Sequence, residues 1–488
     1  MFFLNQGPQT KPIGLEWRSS SWLVTAVIGL GIAVDLLVYS IIIPVMPFQL
    51  VLLGYSNVSS LTGWLLFAYS GGLVISTIPI AMLSERYNAR QLPLVFGLFV
   101  LMGSQVMLME APNYPVMCIA RILQGIGSSM VWVVGLALLS DSSPPSMVGL
   151  QLGIAMMGLS LGMVVGPPVG GLLYSHFGFR GPFIFGISAT FLDLIGRLIL
   201  IERKDALVWG IDPAKISSNE DNAPSPVTET KAEEEIQEIP SASTDVEAAK
   251  DQQTTVSQEP PPATDTEAKP EIKISLVSVM ADLSRSPRAL VALFIIFVYG
   301  IVYSSQEPAI PLHLQRVWDL DSRAVGIVFI AAVVPTMFSA PLTGFWADKK
   351  GTEWPATFSL LFSIPWWVII IIEYRLALFV AAFALEAFFT SGVMSPLTAE
   401  LAAVSRDLDG VGYGHIYGAF NLVYGVGTSI GPIVGGQMYD HIQRGWMALC
   451  LLAAGLLIIC LGLALFFVGS NPFYYRLRGL SLVKKSES

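Results

Sequence analysis

Twelve apolar stretches of roughly twenty residues each run through this chain, and they leave few folds open. A helix of that length matches a hydrocarbon core about 30 Å thick. The stretches lie near residues 22–47, 61–82, 92–109, 116–140, 147–174 and 182–201, and then near 289–312, 324–346, 354–372, 376–402, 413–438 and 445–468. Only 13% of the 488 residues are charged, against 53% apolar. A soluble domain carries about twice that charged fraction. In hydrocarbon each backbone polar group needs a partner within the protein, which selects helices for segments this long. The expected fold is an all-α membrane protein of twelve transmembrane helices.

Between the sixth and seventh stretches the composition changes. Residues 205–271 hold 16 acidic side chains against 4 lysines, a net of −12. Pro, Ser, Thr and Glu dominate there, and such a segment cannot bury enough apolar surface to offset its chain entropy. The expected organisation is an N-terminal tail (1–21), a six-helix bundle (22–203), a disordered acidic linker (204–287), a second bundle (288–470) and a C-terminal tail (471–488). The whole chain is −9, so the rest carries about +3. The acidic balance therefore describes the linker and says nothing about the substrate.

Arg86, Arg90, Lys349, Lys350, Arg476, Arg478, Lys484 and Lys485 fall on one side of the spans, while two opposite loops carry no Lys or Arg. The positive-inside rule then puts both termini and the linker in the cytosol. Arg180, Arg316 and Arg323 run against it. The start of the chain lacks the layout of a cleavable signal peptide. A plasma membrane is expected, with a vesicle or vacuole membrane as the alternative. Asn57-Val58-Ser59 is a glycosylation sequon on the outer side, very close to the next helix. Cys118, Cys450 and Cys460 have no paired spacing, and the four histidines no metal-like spacing, so neither a disulfide framework nor a metal or other cofactor is expected.

The chain also repeats itself. The segment "GMVVGPPVGGLLY" at 162–174 returns as "GTSIGPIVGGQMY" at 427–439, and "PVMPFQL" at 44–50 returns as "PAIPLHL" at 308–314. A weaker pair joins 81–88 to 344–351. The offsets are 265, 264 and 263 residues, so two six-helix halves share one plan. Parallel repeats of this kind place a substrate site between the halves near the midplane. The repeated segment is rich in helix breakers: Gly162, Gly166, Pro167, Gly170 and Gly171, then Gly427, Gly431, Pro432, Gly435 and Gly436. Small residues in membrane helices favour close backbone packing, which predicts a tight, bendable contact between the halves.

At these residues the chain resembles the major facilitator superfamily. The loop motif after the second helix appears as Ala81, Glu85, Arg86 and Arg90, with Ala81 and Asn88 in place of the usual glycines. The fourth-helix motif is "RILQGIGSS" from Arg121, and the breaker-rich segment resembles the motif that marks antiporters. Within the superfamily the chain is similar to fungal-type drug:proton antiporters and vesicular amine transporters, through "VDLLVYSIIIPVMP", "ARILQGIGSS" and "QEPAIPLHL". The resemblance implies that Glu85, Arg86, Arg90 and Asp348 form a cytosolic latch between the halves. It also implies a cation-pairing role for Asp35, a proton-coupling role for Glu307 and a proton-transfer role for Arg121.

Read from the residues alone, a membrane-embedded charge costs about 2.5–3.5 kcal/mol and so needs a partner or a job. Asp35 has only apolar sequence neighbours. It suits a cation or a proton, against the structural alternative of an acid bound to backbone or hydroxyls. Glu307 precedes Pro308. Desolvation disfavours its charged form and suits reversible protonation, against a rim carboxylate that reaches water. Arg121 either assists proton movement or ties helices together. Asp193 and Arg197, four apart, read as a structural pair. Glu386 is a further unpaired acid in the tenth span. The resemblance implies a Lys–Asp pair where this chain has Ser70 and Asn421, and an Asp where it has Ser391. The loss of these charges points away from monoamine specificity and toward a bulkier apolar substrate.

Two "GxSxG" strings, at 158–162 and 427–431, match a hydrolase elbow but sit in membrane spans, and no His is placed to serve them. There is no P-loop and no HExxH. The reading is therefore a proton-coupled exporter of a small organic molecule, not an enzyme, with the bilayer, protons and substrate as partners, no nucleic acid, and a monomeric state. Proton-coupled uptake, vesicular amine loading and a non-transporting nutrient sensor are the alternatives.

Overall fold

The computed structural model describes residues 11–87, 90–144, 147–214, 283, 285–405 and 413–477. Within them the chain forms helices and connecting turns. The six long helices of the first half are α1a (Ser21–Ser40), α2 (Val58–Tyr87), α3 (Gln91–Met109), α4 (Tyr114–Ser142), α5 (Val148–Phe177) and α6 (Arg180–Ile199). Those of the second half are α7a (Pro287–Ser305), α8 (Ser322–Lys350), α9 (Glu353–Ile369), α10a (Leu376–Ser391), α11 (Tyr413–His441) and α12 (Gly445–Phe467). Three spans continue after a turn, as α1b (Met46–Leu52), α7b (Ile310–Trp318) and α10b (Met394–Ser405).

Among the described residues, ten helices are long and apolar enough to cross a bilayer. Position in the repeat brings α9 and α11 to the same role. Large apolar side chains on the spans lie open: Ile75 of α2 is 77% exposed and Phe338 of α8 67%. Water would penalise such surface, whereas lipid does not. The protein is a multi-pass membrane protein.

The helix starts follow local sequence. The Asn113 side chain accepts the Val116 N–H at 3.2 Å to cap α4, and Asp321 accepts the Ala324 N–H at 2.9 Å to cap α8. Pro44 and Pro308 lie in the turns that break the first and seventh spans, because proline cannot donate the N–H a continuing helix needs. The repeated "PxxP" segments are thus the same turn and short helix in each half. Residues 203–207 form a further short helix, and Arg203 pairs with Asp212 at 2.8 Å, so ordered structure follows the sixth span as far as 214. The acidic segment from 215 to 282 lies outside the described residues.

Each half packs α1a on α5 or α7a on α11, and α2 on α4 or α8 on α10a. The two halves meet through α2 against α11 and α5 against α8. We call the end where the chain enters α1a the near end and the opposite one the far end. Five hydrogen bonds with a side-chain partner join the halves among the described residues, and all five lie toward the far end. They are Tyr39–Glu307, Ser59–Pro308, Ser60–Asp440, Ser60–Gly436 and Ser322–Gly171.

The glycine-rich segments divide their work between two faces. Added Cβ atoms on Gly162, Gly166 and Gly170 would strike Ala33, Ser40 and Ile41 of the first span, within the same half. The counterparts Gly427, Gly431 and Gly435 meet Phe297, Ser304 and Ser305 of α7a. Only the other face crosses between halves. The Pro167 carbonyl abuts Gly326 and Gly171 abuts Ser322, while the Pro432 carbonyl abuts Gly63 and Gly436 abuts Ser59. The expected contact between halves therefore exists at the proline and the final glycine. The remaining glycines hold each half together, because two helices packed backbone to backbone leave no room for a side chain.

Candidate functional site

The centre of the site is built from α4. Arg121, Gln124, Ser128 and Trp132 lie at spacings of three, seven and eleven, so one helical face carries all four. That face looks onto Asp35 in α1a. Asp35 is 1% exposed, and its Oδ2 accepts hydrogen bonds from Ser128 Oγ at 2.6 Å, Trp132 Nε1 at 2.8 Å and Tyr69 OH at 3.3 Å. Tyr69 OH also bonds Ser128 Oγ at 2.8 Å. The second oxygen, Oδ1, is buried with no hydrogen-bond partner. Asp35 is thus held through one oxygen while the other is buried and unpartnered, an arrangement that suits an added cation or proton.

Arg121 is fully buried one step further along. Its Nε donates to the Leu65 carbonyl at 3.3 Å and its Nη1 to Gln124 Oε1 at 2.6 Å. The guanidinium lies over two rings, 4.8 Å from the Tyr69 centroid and 5.5 Å from that of Tyr39. Such contacts partly replace the water a buried cation has lost. Its Nη2 has no partner. The two tyrosine rings are 4.8 Å apart.

Tyr39 OH donates to Glu307 Oε2 at 2.7 Å. Glu307 sits in the turn that breaks the seventh span and is 5% exposed. It belongs to the second half and Tyr39 to the first, so this hydrogen bond spans the interface. The structure therefore joins three of the predicted residues into a single buried chain: Asp35, then Tyr69 beneath Arg121, then Tyr39 and Glu307.

Glu386 lies apart in α10a, 1% exposed. Its Oε1 accepts from Thr390 at 3.3 Å, Thr390 in turn accepts from Trp367 Nε1 at 3.2 Å, and its Oε2 has no partner. Ser391 is buried and donates to the Phe388 carbonyl of its own helix at 3.2 Å. Asn421 is exposed. Neither residue joins the Asp35–Glu307 chain. Tyr299 stacks on Tyr303 at 5.9 Å and lies 6.0 Å from Tyr424, forming an aromatic wall in the second half. Trp64 of the first half is 42% exposed and packs edge-on against Phe67. Asp193 and Arg197 pair at 3.2 Å and are fully buried, as a structural pair would be.

Of the four residues expected to form a latch, Arg90 and Asp348 are described with their side chains. The side chains of Glu85 and Arg86 lie outside the described residues. Arg90 pairs with Asp141 of its own half at 3.0 Å, and Asp348 is exposed at the end of α8. The hydrogen bonds described between the halves gather at the opposite end. Asn57 is exposed at the start of α2, and Ser59 of its sequon is buried and donates to the Pro308 carbonyl at 3.1 Å.

Sequence reasoning did not single out Ser128, Trp132, Gln124 or the pairing role of Tyr39. The helical spacing from Arg121 was the available signal for the first three. Nothing local signals the fourth, which meets its partner 268 residues away.

Two packed helical bundles, repeated in sequence, with buried charges bridging them, define a membrane carrier. The chain matches the sequence profile of the Major Facilitator Superfamily over residues 28–287 and 292–480, and it belongs to that family. It is a secondary transporter of the major facilitator type and not an enzyme. It is 25% identical to the "MFS-type transporter ppzB" of Metarhizium rileyi, covering 89% of this chain and 93% of that one. It is 23% identical to the synaptic vesicular amine transporter of Bos taurus, over 84% of this chain and 66% of that one. Its fold is shared with an inward-facing bacterial homologue of the human lysosomal transporter Spinster (TM-score 0.64, 15% identity, 90% and 95% coverage). The nucleoside transporter NupG shares the fold to a similar degree (TM-score 0.62, 10% identity, 90% and 98% coverage).

Proposed function

We propose that this protein exchanges protons for a small organic molecule, moving that molecule out of the cytosol. The observation that carries the reading is the Tyr39–Glu307 hydrogen bond, which ties a protonatable carboxyl of one half to the Asp35 site of the other. A proton arriving on Glu307 removes the charge that Tyr39 serves and weakens the link across the interface. Substrate binding at Asp35 acts on the same two tyrosines from the other side. Rocking of the halves about the shared site then exchanges one for the other.

Asp35 supports a substrate with a cationic or polar group near its unpartnered oxygen, and the aromatic wall supports an apolar body. Ser70 and Asn421 leave the site without the charges that the amine-transporter resemblance implies, which supports a broader substrate class. Glu386 lines the second half of this path as a lesser site. The distribution of Lys and Arg supports cytosolic termini, so the near end faces the cytosol and the described arrangement is the inward-facing one. A plasma membrane and a monomer complete the proposal.

The test is transport into reconstituted vesicles with an imposed proton gradient. Added substrate should move protons in the opposite direction, and Glu307→Gln should abolish uphill transport while substrate exchange continues. Uphill, proton-dependent transport by Glu307→Gln would overturn the coupling assignment.

A further inference from the structure

The start of α2 is capped by the other half of the protein. An N-terminal helix turn leaves N–H groups without internal partners, and the residue just before the helix normally accepts one of them with its side chain. In α8 this happens within the chain: Asp321 has extended backbone, and its Oδ1 takes the Ala324 N–H at 2.9 Å. The repeat places Asn57 and Ser60 at the matching positions of α2, 264 residues earlier. There Asn57 has a positive φ of 54°. The Ser60 N–H donates instead to Asp440 Oδ2 at 2.7 Å, at the end of α11. Ser60 Oγ adds a bond to the Gly436 carbonyl at 3.1 Å, so one residue of α2 is gripped twice by α11. The position matching Asp440 in the first half is Ser175, which is exposed and bonds only its own helix, donating to Leu172.

We infer that Asp440 is a positioning residue for the transport cycle, which caps α2 only while the far end is closed and so favours that state. The α8 cap is indifferent to the cycle because donor and acceptor lie on one segment. The α2 cap is made and broken with the interface. Asp440 also carries a charge, which the positive end of the α2 dipole attracts. It lines a far-end groove of about 560 Å³ together with Asn57, Leu312 and Arg316, so solvent reaches it when the interface parts. The inference holds whatever solute is carried.

Spin labels at Leu53→Cys and Tyr374→Cys, both exposed on far-end loops of opposite halves, report the separation. They are placed in the full chain in lipid nanodiscs, with Cys118, Cys450 and Cys460 replaced by alanine. Asp440→Ala should lower the ratio of short to long distances about fivefold, the population equivalent of one helix cap. Asp321→Ala should lower thermal stability and leave the distance ratio unchanged. An unchanged ratio in Asp440→Ala overturns the inference, as does an equal shift in Asp321→Ala. If Asp440→Ala does not fold, Asp440→Asn keeps the shape and loses the charge. It should shift the ratio in the same direction by a smaller factor, and no shift there overturns the inference equally.

Discussion

The two halves of this transporter share a backbone plan but not a charge plan. The glycines that press α5 onto the first span have partners at the same spacing in α11 and α7a, and the residues they press against match one for one. The polar groups do not match. Counting 264 residues on from Asp35 reaches Tyr299, and from Tyr39 reaches Tyr303. Counting back from Glu307 reaches Ile43. The acids of the two halves therefore sit two helical turns apart in the shared frame. Backbone contacts of this closeness accept little besides glycine, so they persist in both copies. Side chains facing the interface between the halves are free of that constraint, and each half holds a different part of the site. Tyr39, at a position where both copies keep tyrosine, is where the two parts meet.

This contrast can be broken experimentally. The largest effect is expected at the charges. Asp35→Asn should lower transport about 100-fold, the loss expected for a buried, charge-assisted bond, with normal amounts of folded protein. Tyr299→Asp in that background should not restore it, because the wall of the second half lacks the Ser128–Trp132 donors. Recovery would show that the halves are interchangeable after all. Next come the backbone contacts: Gly170→Leu and Gly435→Leu should each destabilise the fold by at least about 1–3 kcal/mol, seen as matching losses of thermal stability. Unequal losses would show that the packing is less symmetric than the backbone. Tyr39→Phe removes only the hydroxyl that reaches Glu307 and should lower coupled transport by about fivefold to tenfold. Tyr303→Phe should change it less, and an equal loss would place coupling in both halves. The smallest effect is at the self-contained cap, where Asp321→Ala should cost about 1 kcal/mol in thermal unfolding and leave the substrate KM unchanged.

Much of the architecture is readable in the chain itself. Span length, the 264-residue repeat and the proline turns at 44 and 308 are local signals, and each appears in the structure where its residues stand. Asp35 and Glu307 were visible as acids in apolar surroundings, since few such residues occur in membrane spans without a reason. The latch residues illustrate the limit. A motif names residue types, but it does not name the pairing of Arg90 with Asp141, 51 positions along the chain.

The sequence by itself determined the twelve-span fold, its duplication and the presence of buried charge, because hydropathy and spacing act within a segment. Only the tertiary structure decided how those charges are served. Asp35 takes its donors from residues 34, 93 and 97 positions away, Glu307 receives one from 268 positions away, and Ser60 finds its cap 380 positions along the chain. No local periodicity encodes contacts at such separations. They arise when packed glycine faces bring helices close enough for short polar side chains to meet.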